Sequence, residues 1–218
     1  MPNIILDFET RSRMPIAAGA YNYASDASTD ILCLGVICEG TGNEWLWYPS
    51  DGPLPSDLTA AIQAADLIKA HNATFDKLIW EFVGVDDYAF PELPANRWYC
   101  TSAQCRVNAL PSSLDNATRA VGVKMRKDRR GAQLIKLLSI PNDDGTFNTD
   151  PSALKEMGDY CLQDCRATLD LSQSIRQMTP QEHADWLLTE DVNERGAKVD
   201  VELARLALDY AEDEKLAI

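Results

Sequence analysis

The chain opens on a wholly apolar stretch, Ile4-Ile5-Leu6, that runs straight into two acids one residue apart, Asp7-Phe8-Glu9, followed by Thr10. An unbroken apolar approach reads as a buried strand over residues 3–9, with the acids at its carboxyl end. Side chains alternate along a strand, so Asp7 and Glu9 share one face and Phe8 points to the other. An acid-x-acid pair also fits a solvated strand terminus; the apolar approach favours a site.

The rest of the chain alternates between short extended and longer helical patterns. Strands are expected over 29–39 and 43–48, with Gly40-Thr41-Gly42 as the turn between them. A helix over 56–65, a strand over 67–71, a helix over 73–83 and a strand over 97–100 follow. Beyond Thr101 the pattern is helical over 102–109, 113–121, 131–139 and 152–176, the last opened by Asp150-Pro151 as cap and first-turn proline. Thr179-Pro180-Gln181-Glu182 has the form of a capping box that opens a helix to about 194. A brief extended piece at Lys198-Val199 and an amphipathic helix over 201–215 complete the chain. Periodicity establishes an α/β protein and goes no further. The division expected is residues 1–178 as one domain and 179–218 as a helical C-terminal extension.

Two further acidic motifs lie far from the first. Asn72-Ala73-Thr74-Phe75-Asp76 follows the strand over 67–71, and Tyr160-Cys161-Leu162-Gln163-Asp164 lies inside the long helix. Taken singly, each has a plain reading. Asp76 suits the first turn of a helix, where the dipole favours an acid, with Asn72 as the cap. Tyr160 suits an amphipathic helix, on which Asp164, at i+4, shares its face. Taken together, Asp7, Glu9, Asp76 and Asp164 supply four hard oxygen donors, the set that suits two Mg²⁺ or Mn²⁺ ions, and such ions pair to cut phosphodiesters.

The order and form of these motifs resemble the DEDD superfamily of 3′→5′ exonucleases, in its tyrosine-bearing branch, which includes the proofreading domain of phage-type family A DNA polymerases. The D-x-E-T of Asp7–Thr10, the N-x-x-F-D of Asn72–Asp76 and the Y-x-x-x-D of Tyr160–Asp164 carry the likeness. The histidine branch would need His at 159, where this chain has Asp159. Gly19-Ala20-Tyr21, the run Ser28 to Leu32, Lys127-Asp128 with Gly131, and Asn193-Glu194-Arg195-Gly196 extend the resemblance over most of the chain. It implies a ribonuclease H-like fold, a mixed central sheet flanked by helices, and metal-dependent release of 5′-mononucleotides from the 3′ end of single-stranded DNA. Asp7 would bridge the ions, Glu9 and Asp164 would complete one site, and Asp76 would act at the other. Tyr160 would orient the attacking water, Phe8 and Thr10 would meet the terminal nucleotide, and Asn72 and Phe75 would shape the pocket. A DNA polymerase region or subunit is the partner implied.

The seven residues Lys124 to Arg130 hold five cations and one anion. A solvated loop and a phosphate clamp formed by Arg126, Lys127, Arg129 and Arg130 are both open readings. The formal net charge of −14 argues against binding nucleic acid through overall electrostatics. Residues 179–218 alone hold eleven acids and four basic residues, a net of −7. Six cysteines without a C-x-x-C pair read as reduced core thiols. No transmembrane run and no secretory signal are recognised, so a cytoplasmic protein is expected, in bacteria and of phage origin by the resemblance. An RNA-trimming exonuclease and an inactive strand- or polymerase-binding module remain as alternatives.

Overall fold

The computed structural model describes residues 2–123 and 130–216. Five strands, β1 (Ile4–Arg11), β2 (Asp30–Cys38), β3 (Glu44–Trp47), β4 (Ile68–Ala70) and β5 (Trp98–Cys100), form one sheet in the order β3-β2-β1-β4-β5. β1, β2 and β3 pair antiparallel, whereas β4 joins β1, and β5 joins β4, in parallel. The antiparallel half is built from consecutive strands, one link being the tight Gly40–Gly42 turn, where Gly42 sits at φ 72° and donates to the Cys38 carbonyl. The parallel half requires helical crossovers. These are supplied by α2 (Ser56–Ala64) and by α3 (Ala73–Ile79), which continues through a π-helical stretch, Trp80–Val85, into α4 (Asp86–Tyr88). This is a ribonuclease H-like fold with a helical C-terminal region.

Alternation along β1 divides the core. Ile4, Leu6 and Phe8 face a large cluster that includes Trp47, Trp80 and Trp98, all fully buried. Ile5 faces the other way, against Ile37, Cys165 and Leu169. That second face is covered by α8 (Pro151–Ser174), a helix of 24 residues started as its sequence indicates, with Asp150 accepting from the Ser152 N–H and Pro151 at the first position. α8 lies very close to β2. A Cβ on Gly35 would stand 3.0 Å from Cys161 Sγ and 3.1 Å from Cys165 Sγ, so the missing side chain is what lets the helix seat there. The remaining helices before it are α1 (Ala20–Ala24), α5 (Thr101–Val107), α6 (Leu114–Val121) and α7 (Gly131–Leu138). All six cysteines are buried free thiols, as expected.

Three details differ from the sequence reading. β1 runs on to Arg11, so the acids lie within the strand and not at its end. α1 was not anticipated. The helix expected over 73–83 continues to Tyr88, its widened turn leaving Gly84 against the Phe90 ring, 2.5 Å from where a Cβ would be.

α9 (Pro180–Arg195) begins with the expected reciprocal capping box between Thr179 and Glu182. It packs back on the sheet layer: His183 Nε2 donates to the Trp98 carbonyl at 2.8 Å, Thr74 bonds Glu190, and Lys77 pairs with Glu194. α10 (Val201–Leu216) is exposed along its described length. Among the described residues no helix is long and apolar enough to cross a membrane.

Candidate active site

The three acidic motifs meet around β1. In the first, alternation turns Asp7 and Glu9 toward the α8 side, while Phe8 is buried among the aromatic residues of the opposite face, 6.2 Å from Trp80 ring to ring. The pairing of β1 with β2 shifts register between Glu9 and Thr10, an irregularity of the kind that re-aims side chains beside sites. Thr10 is consequently buried, its hydroxyl 3.0 Å from that of Tyr23.

The second motif reaches the first through a backbone contact. The N–H of Phe8, between the two acids of β1, donates to Oδ1 of Asp76 at 3.2 Å. Asp76 lies in the first turn of α3, the place that the helix dipole favours for an acid, and it is buried there. Asn72 stands at the cap position in the left-handed region, φ 71° and ψ 50°, which asparagine tolerates better than most residues. Its side chain makes no capping hydrogen bond and lines the cleft that also exposes Asp7 and Asp164. Phe75, half-buried, packs on Tyr23 at 5.7 Å between ring centroids.

The third motif comes down on α8. Cys161 Sγ donates to the Asp7 carbonyl at 3.2 Å, which ties the helix to β1 at the site residue itself. Tyr160 and Asp164, both buried, flank that contact on one helix face, close enough for the Asp164 charge to act on the tyrosine. The Tyr160 hydroxyl is held above the ordinary tyrosine range, first by burial and then by the negative charges of Asp164, Glu9 and Asp7.

The electrostatics of the cluster follow from crowding. Asp7 is pushed well above the usual carboxylate range, chiefly by burial, with Glu9, Asp76 and Asp164 among the charges that raise it further. Asp76 is raised by burial against the opposing effect of the Phe8 N–H. Such a site favours protons or cations. Its donor chemistry, three carboxylates within electrostatic reach of Asp7, fits hard divalent ions. As they stand, however, no three His, Cys, Asp or Glu side chains among the described residues are drawn together into a ready ligand shell.

Two clefts flank the acids. One, of about 420 Å³, is lined by Asp7, Asp164 and Asn72, and on its far wall by His71, Arg106 and Ser112. The other, of about 500 Å³, runs past Tyr160 between Arg130 and Arg166. Of the basic stretch only Arg130 can be placed: it pairs with Glu156 at 2.9 Å, and Arg126, Lys127 and Arg129 lie outside the described residues. His71, Arg106 and Ser112 carry no motif in the sequence; only the fold brings them beside Asp7. Gly131, quoted above only for its place in the resemblance, proves to lie against the Tyr160 ring.

No family model matches the chain. The chain is similar to a DNA polymerase of Bacillus phage SP02, with 27% identity over 221 residues that span 95% of this chain and 33% of that protein. The chain spans about a third of the length of the phage protein it matches.

Proposed function

We propose that this chain is a metal-dependent 3′→5′ exonuclease of the tyrosine-bearing DEDD type, acting on single-stranded 3′ ends of DNA in the manner of a proofreading domain. The observation that carries the reading is the hydrogen bond from the Phe8 N–H to Asp76, which joins two motifs 68 residues apart at the point where Asp164 also comes within charge range of Asp7. A structural role for these acids would not call for burying them together against their own repulsion. Similarity to a phage DNA polymerase supports DNA over RNA.

Asp7, Glu9, Asp76 and Asp164 would hold the ions. Two such ions, when bound, lower the pKa of an attacking water and stabilise the departing 3′ oxygen. The chain's own groups do the positioning. Tyr160 stays protonated, so its hydroxyl orients a water and does not abstract a proton. The Phe8 N–H holds Asp76 in place, Asn72 borders the cleft beside Asp7, and Phe75 would shape the pocket for a terminal nucleotide.

Single-stranded DNA and RNA labelled at the 3′ or 5′ end, incubated with Mg²⁺, Mn²⁺ or EDTA, test this directly. Stepwise release of 5′-mononucleotides from the 3′ end of DNA, abolished by EDTA and by Asp7→Ala, is expected. Degradation of RNA alone would transfer the same chemistry to RNA trimming. No cleavage of either would leave a binding module.

A further inference from the structure

We propose that Arg106 anchors a backbone phosphate of the substrate strand in the 420 Å³ cleft beside Asp7 and Asp164. The inference rests on the exonuclease reading and assigns the path by which the strand reaches the acids.

The chain carries 34 acids against 20 basic residues, and its exposed arginines mostly have carboxylate partners: Arg119 with Asp115, Arg130 with Glu156, Arg166 with Glu44, Arg176 with Glu182. Arg106 has none among the described residues. Its guanidinium makes only long contacts, 3.4 and 3.5 Å, to Ser102 one turn back on its own helix. It is also the one Arg or Lys among the described residues lining this cleft, whose floor holds two buried-site carboxylates. A polyanion entering there meets repulsion that a planar, permanently charged fork is suited to offset, since guanidinium and phosphate geometries match.

The wall that carries Arg106 is fastened to the end of β4. His71 Nε2 donates to the Ser112 carbonyl at 2.8 Å, and Ser102 Oγ donates to the same oxygen at 2.8 Å. The other ring nitrogen of His71 lies 3.0 Å from Thr101 Oγ1, at the first residue of α5. Between α5 and α6 the chain turns through Ala109 at φ 57°. The helix bearing Arg106, the following loop and the residue before Asn72 thus form one framed edge. A cation on such an edge loses less on binding than one on a free loop.

The test compares wild type with Arg106→Gln and Arg106→Lys on a single-stranded oligodeoxynucleotide. For Arg106→Gln the KM should rise about tenfold, the scale of one charged hydrogen bond, with the larger share of the loss in KM and not kcat. Its dependence on salt should flatten by about 0.7 in log–log slope. Arg106→Lys should recover part of the loss. Substrates with one neutral methylphosphonate linkage, moved stepwise from the 3′ end, supply a readout that a merely structural role would not move. One linkage should weaken wild type and have no further effect on Arg106→Gln. Oligonucleotide binding by anisotropy in Ca²⁺ separates the two levels of the proposal. If wild type binds without cleaving and Arg106→Gln binds more weakly, the cleft assignment stands and the exonuclease reading falls. If wild type cleaves and a folded Arg106→Gln matches it in KM, salt slope and methylphosphonate profile, the cleft assignment falls alone. If wild type neither binds nor cleaves, both fall.

Discussion

Gly131 lies flat against the ring of Tyr160: a Cβ placed on it would stand 2.4 Å from both Cε2 and Cζ of the tyrosine and 2.7 Å from its hydroxyl oxygen. Those separations are far inside van der Waals contact, so the first residue of α7 sets how far the Tyr160 hydroxyl can reach beside Asp164. Gly131→Ala should therefore displace the ring. Cleavage is expected to fall about 10²-fold, the scale of a misplaced reacting group. The overpacking should cost about 1–3 kcal/mol of stability. Single-turnover rates together with a thermal melt check this. Wild-type turnover in a folded Gly131→Ala protein would show that the ring can shift without consequence.

Tyr160→Phe removes the hydroxyl and keeps the ring that Gly131 supports. Turnover should drop by about 10²–10⁴-fold, the range for a positioned catalytic group, while Mn²⁺ affinity stays near wild type. Calorimetric titration of Mn²⁺ beside single-turnover kinetics distinguishes the cases. Lost metal affinity with an unchanged rate per loaded complex would assign the tyrosine to the ion site instead.

Asp76→Asn should abolish cleavage and raise the stability of the metal-free protein at neutral pH. The amide oxygen can still accept from the Phe8 N–H, whereas a buried charge among other acids is gone. Because the carboxyls of Asp7 and Asp76 are raised on folding, the folded state holds protons more tightly than the unfolded one. Their contribution is fully present below the unfolded value of 3.8 and is lost as pH rises through the raised folded values. In EDTA the pH-dependent loss should be shallower for Asp76→Asn than for wild type. Denaturant titrations at a series of pH values measure it, and parallel curves would count against the crowding described here.

Glu182 moves the other way. Its bonds to Arg176, at 2.7 and 2.9 Å, and to the Thr179 N–H hold its carboxyl down to about 2, against an ordinary 4.5. The stability it adds is present above 4.5 and is lost as pH falls through about 2. Glu182→Gln should remove that step and loosen the start of α9, with a modest effect at neutral pH because the pair is exposed and screened. Hydrogen exchange across residues 180–187 reports on it. Unchanged protection would mean that the contacts of His183, Glu190 and Glu194 with the rest of the fold hold α9 by themselves.

Local chemistry made much of the architecture legible. The apolar run of β1, the turn at Gly40–Gly42, the Asp150-Pro151 start of α8 and the Thr179–Glu182 capping box are short-range signals, decided by residues within a few positions of each other. The four acids stood out as candidates for the same reason, each motif being contiguous. The extension of β1 to Arg11 was less so, because ladder pairing with β2 continues past the irregularity at Glu9/Thr10 whatever the local pattern.

What only the tertiary structure decided is who meets whom. The hydrogen bond from Phe8 to Asp76 and that from Cys161 to the Asp7 carbonyl span 68 and 154 residues. Gly35 has a reason to be glycine only because α8 passes over it, and Gly131 only because Tyr160 lies beneath it. Arg106 looks like an ordinary surface residue in the sequence, since nothing within a helical turn of it marks a site, and His71 reads only as the end of a short strand. Their place beside Asp7 is set by β4 joining β1 in parallel and by the Ser112 carbonyl that both His71 and Ser102 hold. Composition and periodicity report the faces of single elements. The distances between those faces, and the charges they share, exist only once the sheet order has closed the chain upon itself.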